Sequence, residues 1–221
     1  MVHDPGADVR DHDKNWSSLS AEVYRRLRQE IVRGELRPNQ PLAEAEIAER
    51  LNVSRTPVRE SMQRLAADGL VVSRRRRWMV YEHTKREIQE IYEVRLALEG
   101  YASRLASQRV TDAQIEELAR ARDATVVGGP LIVRVERNEA FHNHVVAIAG
   151  NERMASTLAN NRNYGFNRQA ASLYTPDDLV VSAEQHVRLV DAVIARDGDV
   201  AEQIAREHIQ SALEIIIARL P

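Results

Sequence analysis

Apolar residues recur at helical spacing in two short runs that follow one another near the amino terminus. The first run ends at Asn52, a residue that tolerates the left-handed backbone conformation of a tight turn. Ser54 then stands where a second helix needs its N-cap, Pro57 fits the first turn of that helix, and Gly69 ends it. Two helices joined in this way predict a helix-turn-helix. Their apolar faces contain Ala45, Ile47, Ala48 and Leu51 in the first helix and Val58, Ser61, Met62 and Leu65 in the second.

Polar side chains cluster on the opposite face of the second helix, near its amino-terminal end. Arginine can bond a guanine edge through two hydrogen bonds, glutamine can do the same with adenine, and threonine can contact a thymine methyl group. We therefore expect this helix to enter the major groove of double-stranded DNA; the alternative is a helical hairpin whose arginines are only solvated. The candidate DNA-binding residues are Ser54, Arg55, Thr56, Arg59 and Gln63.

Two short strand-like runs follow Gly69, with four consecutive arginines between them. They predict a β-hairpin wing whose basic side chains lie along a phosphate strand or enter the minor groove. The alternative is a solvated basic turn, since charge runs are commonly exposed and without function. The wing candidates are Arg74, Arg75, Arg76 and Arg77.

The segment VSRTPVRESMQRLAADGLV, residues 53–71, resembles the winged helix-turn-helix of GntR-type regulators. The heptapeptide SRTPVRE carries the likeness, because it combines the cap, the proline and two arginines. The resemblance implies a DNA-binding transcription regulator in which an effector-binding domain follows the winged helix-turn-helix in sequence. Related wings generally place a glycine where Arg77 stands, so the hairpin turn is expected to differ in shape.

The remaining sequence predicts helices both before and after this winged helix-turn-helix. A helix from Leu19 to Arg33 precedes it, and the segment GELRPNQPL forms a proline-containing loop. After the wing we expect an all-α bundle of six to seven helices. Its predicted helices are one ending near Gln108, one capped by Thr111, and those at Ile132–Ala149, Glu152–Ser172, Leu179–Ala195 and Val200–Leu220, with a loop at Thr175–Asp178.

Length and charge divide the chain in the same way. Its 221 residues suffice for two domains. We expect a mobile tail over residues 1–17, a winged helix-turn-helix domain over 18–83, and a helical effector-binding and dimerisation domain over 84–221. Residues 17–86 hold 15 Lys+Arg against 9 Asp+Glu, net +6, whereas residues 87–221 hold 14 against 20, net −6. A basic first domain suits the phosphate backbone of DNA.

The absence of cysteine excludes a disulfide framework and a thiolate metal site, and it agrees with a reducing compartment. No apolar run is long enough to span a bilayer, and the first residues have no apolar signal core. We therefore expect a cytoplasmic protein without a membrane partner.

Three of the seven histidines, His142, His186 and His208, have apolar neighbours at helical spacing and are predicted to face inward. A single inward histidine is more often a satisfied core residue than a metal ligand. Three in one bundle leave several ring nitrogens that need partners, and one metal ion satisfies three of them at once. The alternative, a purely structural and metal-free cluster, remains open.

The helical region resembles the FadR C-terminal domain, or FCD, in the segments RLALE, FHNHVVAIAGN, QHVRLVDAVIARD and AREHIQSAL. The resemblance implies a metal site of Asn138, His142, His186 and His208, although the first position is usually aspartate in that family. A set of three nitrogens and one oxygen suits zinc, nickel, cobalt, manganese or ferrous iron. Asn138 adds no negative charge, which favours an anionic guest.

Arg95 and Arg162 are the candidate effector-binding residues. Arg95 could hold a carboxylate with two hydrogen bonds, or it could simply pair with Glu99 one helical turn away. The preferred function is a homodimeric repressor of a roughly palindromic operator, controlled by a small carboxylate effector and not an enzyme. The rival is a metal-dependent hydrolase using Glu139, Glu184 or Glu207 as a base, but helical geometry predicts that these lie off to the side of the histidines.

Overall fold

The computed structural model describes residues 18–126, 128–162 and 167–220, without the side chains of residues 162 and 167–169. The tail predicted over residues 1–17 lies outside these ranges. The chain divides into two compact units, with the boundary between Tyr81 and Glu82. No helix in the described ranges has both the length and the apolar character needed to cross a bilayer.

The first unit is a helix-turn-helix with a small antiparallel sheet. One face of each helix contributes to its core. The fully buried residues of this core include Leu27, Val58, Met62 and Leu65. The elements are α1 (Ser18–Val32), β1 (Pro41–Leu42), α2 (Glu44–Leu51), α3 (Arg55–Ala67), β2 (Val71–Arg74) and β3 (Arg77–Val80). The strand order in the sheet is β1-β3-β2.

Strand β1 corrects the prediction that the whole GELRPNQPL segment is a loop. Pro41 pairs with Met79, and Leu42 pairs with Trp78, so the end of that segment closes the sheet against the wing. A two-residue strand has no periodicity of its own, and its pairing depends on a partner more than thirty residues away. Strand β1 is therefore visible only in the folded unit.

The second unit is all-helical. The elements are α4 (Lys85–Arg109), α5 (Asp112–Val126), α6 (Leu131–Ile148), α7 (Glu152–Arg162), α8 (Asn167–Ser172), α9 (Pro176–Ile194) and α10 (Gly198–Arg219). The long helix α4 packs against α6, α7, α9 and α10, and α5 packs against α6 and α9. The core between these helices includes the fully buried Leu118, Phe141, Val190 and Val193.

Two predicted boundaries differ from those of the structure. The loop predicted at Thr175–Asp178 is wrong, because α9 already begins at Pro176. Thr175 and Asp178 form a reciprocal capping box, and a proline is well suited to the first helical position. The helix predicted over Glu152–Ser172 is described as α7 and α8, and residues 163–166 between them lie outside the described ranges.

Candidate functional site

The turn of the helix-turn-helix forms at Asn52, which has a left-handed backbone with φ of 53°. Ser54 follows as the N-cap residue of α3, but its side chain does not make the capping hydrogen bond that the sequence predicted. The face of α3 that was predicted to point inward is buried. The candidate base-reading residues Ser54, Arg55, Thr56, Arg59 and Gln63 are all exposed.

Glu44 connects the exposed face of α3 with the wing. One carboxylate oxygen lies 3.5 Å from Nε of Arg59, and the other accepts a hydrogen bond of 3.1 Å from Trp78 Nε1. Both partners are far from Glu44 in sequence, so the sequence did not indicate this link. Glu44 therefore lies within contact distance of both Arg59 and strand β3.

The wing has its turn at Arg75 and Arg76, which join the paired residues Arg74 and Arg77. The two turn residues have positive φ values of 49° and 64°. This is the pattern of a type I′ turn, which favours asparagine and glycine and is strained for arginine. Arg77 lies in strand β3, and all four arginines are exposed.

Replacing Arg75 with asparagine and Arg76 with glycine is expected to separate stability from DNA binding. The free energy of unfolding should rise by about 1 kcal/mol, because these residues adopt positive φ more readily. Affinity for all duplexes should fall, and the slope of log K against log salt should become shallower by about 2 for each bound chain, since each chain loses two phosphate contacts. Denaturant titration and fluorescence anisotropy at several salt concentrations measure the two effects.

The matched control replaces Arg75 and Arg76 with lysines, which keeps the charge and does not relieve the turn. This variant should retain the salt dependence of the natural protein. An unchanged salt slope in the Asn-Gly variant would mean that the wing arginines are only solvated.

In the second unit His142, His186 and His208 come together from α6, α9 and α10. All three are buried, and one ring nitrogen of each lies within 4.8 Å of those of the other two. The Nε2 atoms of His186 and His208 are 3.4 Å apart. The inward direction predicted for the three histidines is confirmed.

Each histidine turns its Nδ1 atom toward an oxygen outside the cluster. The partners are Glu99 Oε2 at 3.5 Å from His142, Thr125 Oγ1 at 3.1 Å from His186, and Gln185 Oε1 at 2.9 Å from His208. Such contacts orient histidines that bind metals and set their tautomers. The sequence did not assign this role to Glu99, Thr125 or Gln185, because all three contacts join different helices.

The hydrogen-bond network assigns the protons on two of these rings. Thr125 donates its hydroxyl hydrogen to the Arg122 carbonyl at 2.7 Å, so it accepts a hydrogen bond from Nδ1 of His186. The Gln185 amide nitrogen donates to Ser211, which leaves its oxygen to accept from Nδ1 of His208. Each neutral ring with a proton on Nδ1 has a lone pair on Nε2.

Two Nε2 lone pairs therefore face one another at 3.4 Å. Burial lowers the pKa of His186 to about 2 and that of His208 to about 4, so both rings are neutral near pH 7. Lone pairs at this distance repel unless a cation lies between them. Two nitrogens bound at about 2.0–2.1 Å to one tetrahedral ion would be separated by about 3.4 Å. The donor set and its spacing fit a divalent metal ion.

The cluster opens into a cavity of about 630 Å³. Asn138, one helical turn before His142 on α6, lines the same cavity, as do Arg95 and Arg134. Arg162 is the last residue of α7, and its side chain lies outside the described residues. Arg134 was missed, since only the folded bundle shows that its position faces the cavity.

Arg95 forms the ion pair with Glu99 that was one of its two predicted roles, and it also lines the cavity. Its Nε donates a hydrogen bond of 2.8 Å to Glu99, and its guanidinium lies 4.5 Å from the centre of the Tyr92 ring. Burial alone would lower the pKa of Arg95, but the Glu99 charge and Tyr92 outweigh it and raise the pKa. Arg95 is therefore an ion-paired cation in the wall of the cavity.

Two of the three carboxylates considered as bases of a hydrolase lie at the cavity. Glu139 and Glu184 line the same cavity as the histidines. Glu207 accepts a hydrogen bond of 2.8 Å from Gln203 and lies 3.5 Å from Arg188.

Comparisons with known proteins agree with this architecture. The model described as "Bacterial regulatory proteins, gntR family" matches residues 19–79, and the model of the FCD domain matches residues 90–211. The HTH-type transcriptional repressor RspR of Escherichia coli (strain K12) is 27% identical over 209 residues, which cover 90% of this chain and 89% of RspR.

A second relative is named "Probable D-xylose utilization operon transcriptional repressor" and comes from Paenarthrobacter nicotinovorans. It is 32% identical over 203 residues, which cover 89% of this chain and 88% of the relative. The solved structure of E. coli McbR/YncC has a TM-score of 0.77 at 23% identity and covers 93% of this chain and 100% of its own, a likeness of fold. Both resemblances predicted from the motifs are confirmed, and the chain belongs to the GntR family of bacterial transcription regulators, with an FCD domain behind its winged helix-turn-helix.

Proposed function

We propose that this regulator is a homodimeric repressor whose affinity for operator DNA is controlled by a small organic acid bound beside a metal ion. The histidine cluster carries the proposal, because its facing lone pairs need a cation and it opens into a cavity large enough for such an acid. Ligand pockets commonly have volumes of about 300–1,000 Å³. The exposed polar face of α3 and the wing arginines supply the DNA-binding surface.

The proposed metal ligands are His142, His186, His208 and the side-chain oxygen of Asn138. An ion of the zinc, nickel, cobalt, manganese or ferrous type would supply open coordination positions for a carboxylate. Asparagine adds no charge to the site, whereas aspartate would add one negative charge. The proposed site therefore has more net positive charge, which favours an anionic ligand.

A dimer follows from the size of the DNA-binding surface. One recognition helix reads only a few base pairs, so two heads related by symmetry are needed for useful specificity on a palindromic operator. The effector must bind one arrangement of the two heads more tightly than the other, because only differential affinity shifts such an equilibrium. RspR and the D-xylose relative are named repressors, which supports relief of repression by the effector.

Selection of bound genomic fragments followed by operator-binding titrations tests this function. We expect the purified, metal-loaded chain to select a palindromic site and to bind it with a stoichiometry of two chains. At least one carboxylic acid in a chemically varied panel should weaken that binding about tenfold or more, a typical size for allosteric coupling. Fluorescence anisotropy measures the effect, and the same titration without metal is the control. A panel that leaves operator affinity unchanged would contradict effector control.

A further inference from the structure

Arg134 extends the line of polar residues along the cavity face of α6. Arg134, Asn138 and His142 are spaced four residues apart and all line the cavity. Residues at this spacing lie on one side of a helix, and eight residues span about 12 Å along the axis. A ligand held at the histidine cluster can therefore extend along α6 toward Arg134.

Nε of Arg134 is buried and has no hydrogen bond to any group within the described ranges. Arg95, which also lines the cavity, differs because Glu99 neutralises it at 2.8 Å. A guanidinium donor that is removed from water without an acceptor is unfavourable, and an anionic ligand would supply the acceptor.

The carboxylates of the protein near this cavity do not act as the acceptor for Arg134. Glu184 is exposed, so water screens its charge, and Glu139 is engaged in interactions with other groups. In the described part of the chain neither of them forms an ion pair with Arg134. The cavity thus offers an anion two separated places, one at the histidine cluster and one at Arg134.

We propose that Arg134 binds a second anionic group of the effector, and that the effector is a dicarboxylate. This proposal rests on the proposed function, in which one carboxylate lies at the metal. A guanidinium binds a carboxylate through two parallel hydrogen bonds, which gives geometric selection as well as affinity. Arg134 is then the residue that distinguishes a dicarboxylate from a monocarboxylate of equal length.

The test compares acids of matched length on the zinc-loaded, full-length protein without DNA. Glutarate, adipate and pimelate are titrated by calorimetry beside pentanoate, hexanoate and heptanoate. The natural protein should bind at least one dicarboxylate about tenfold or more tightly than the monocarboxylate of the same length, the size expected for one charge-assisted contact. Arg134→Met should reduce this ratio below about twofold and leave monocarboxylate affinity unchanged, which also shows that the variant is folded.

Two further variants separate charge from structure. Arg134→Lys should keep part of the preference, and Arg137→Met, a change on the same helix at a residue outside the cavity lining, should keep all of it. The proposal is overturned if the natural protein shows no preference, if Arg134→Met retains it, or if none of the six acids binds. Operator release by a monocarboxylate without any such preference would overturn the role of Arg134 while the proposed function stands.

Discussion

His208→Ala is expected to reduce bound metal from about one ion per chain to below about a tenth of an ion, because an imidazole ligand and its contact with His186 are lost together. The natural protein should also melt at a higher temperature after addition of zinc, nickel or manganese, since an ion that binds only the folded state stabilises it. The variant should lose that shift. Elemental analysis after desalting and thermal melts with and without metal measure both effects.

His144→Ala is the matched control for this prediction. His144 lies on α6, two residues after His142, but it is directed toward Glu117 at 3.7 Å and does not belong to the cluster. Its removal should leave the metal content unchanged. Asn138→Asp should bind the metal more tightly by about tenfold or more, because it adds a charged oxygen ligand.

Without a metal ion, the histidine cluster would need a different arrangement of protons. One of the two facing Nε2 atoms would then have to carry a proton, so that it could donate to the other. If His186 did so, its Nδ1 would have to accept from Thr125, which would have to give up its bond to the Arg122 carbonyl. Natural protein without bound metal, with a melting temperature unaffected by all three ions, would support this structural alternative.

Arg59→Ala is expected to weaken binding to the selected operator by about 1–3 kcal/mol and to relax the preference at one base pair. Arg59 lies on the exposed face of α3, where its guanidinium is held near Glu44 at 3.5 Å. A guanidinium bonds a guanine edge through two hydrogen bonds, and the substitution removes both. Competition titrations with operators changed at one base pair at a time measure the loss and locate the base pair.

Arg25→Ala is the control, because it removes the same charge from an exposed position on α1. It should change operator affinity by much less and should leave base preference intact. If Arg59→Ala weakened operator and random duplex equally, Arg59 would contact phosphates, and its assignment to base reading would be wrong.

Sequence patterns located most helices because a helix is built from local interactions. Its hydrogen bonds join residues four apart, and its buried face repeats every 3.6 residues, so both signals lie within a short window. The turn at Asn52, the inward face of α3 and the three inward histidines were all visible in this way. The start of α9 was misplaced, because the capping box at Thr175 was not recognised.

The sequence by itself thus determined the domain types, the two helices of the helix-turn-helix and the inward direction of three histidines. Only the tertiary structure decided which groups orient them, because Thr125 and His186, or Glu44 and Trp78, lie far apart in the chain and meet through packing. The same holds for Arg134, whose buried Nε has meaning only beside the cavity that surrounds it. Periodicity records which side of a helix is buried, but it does not record what that side meets.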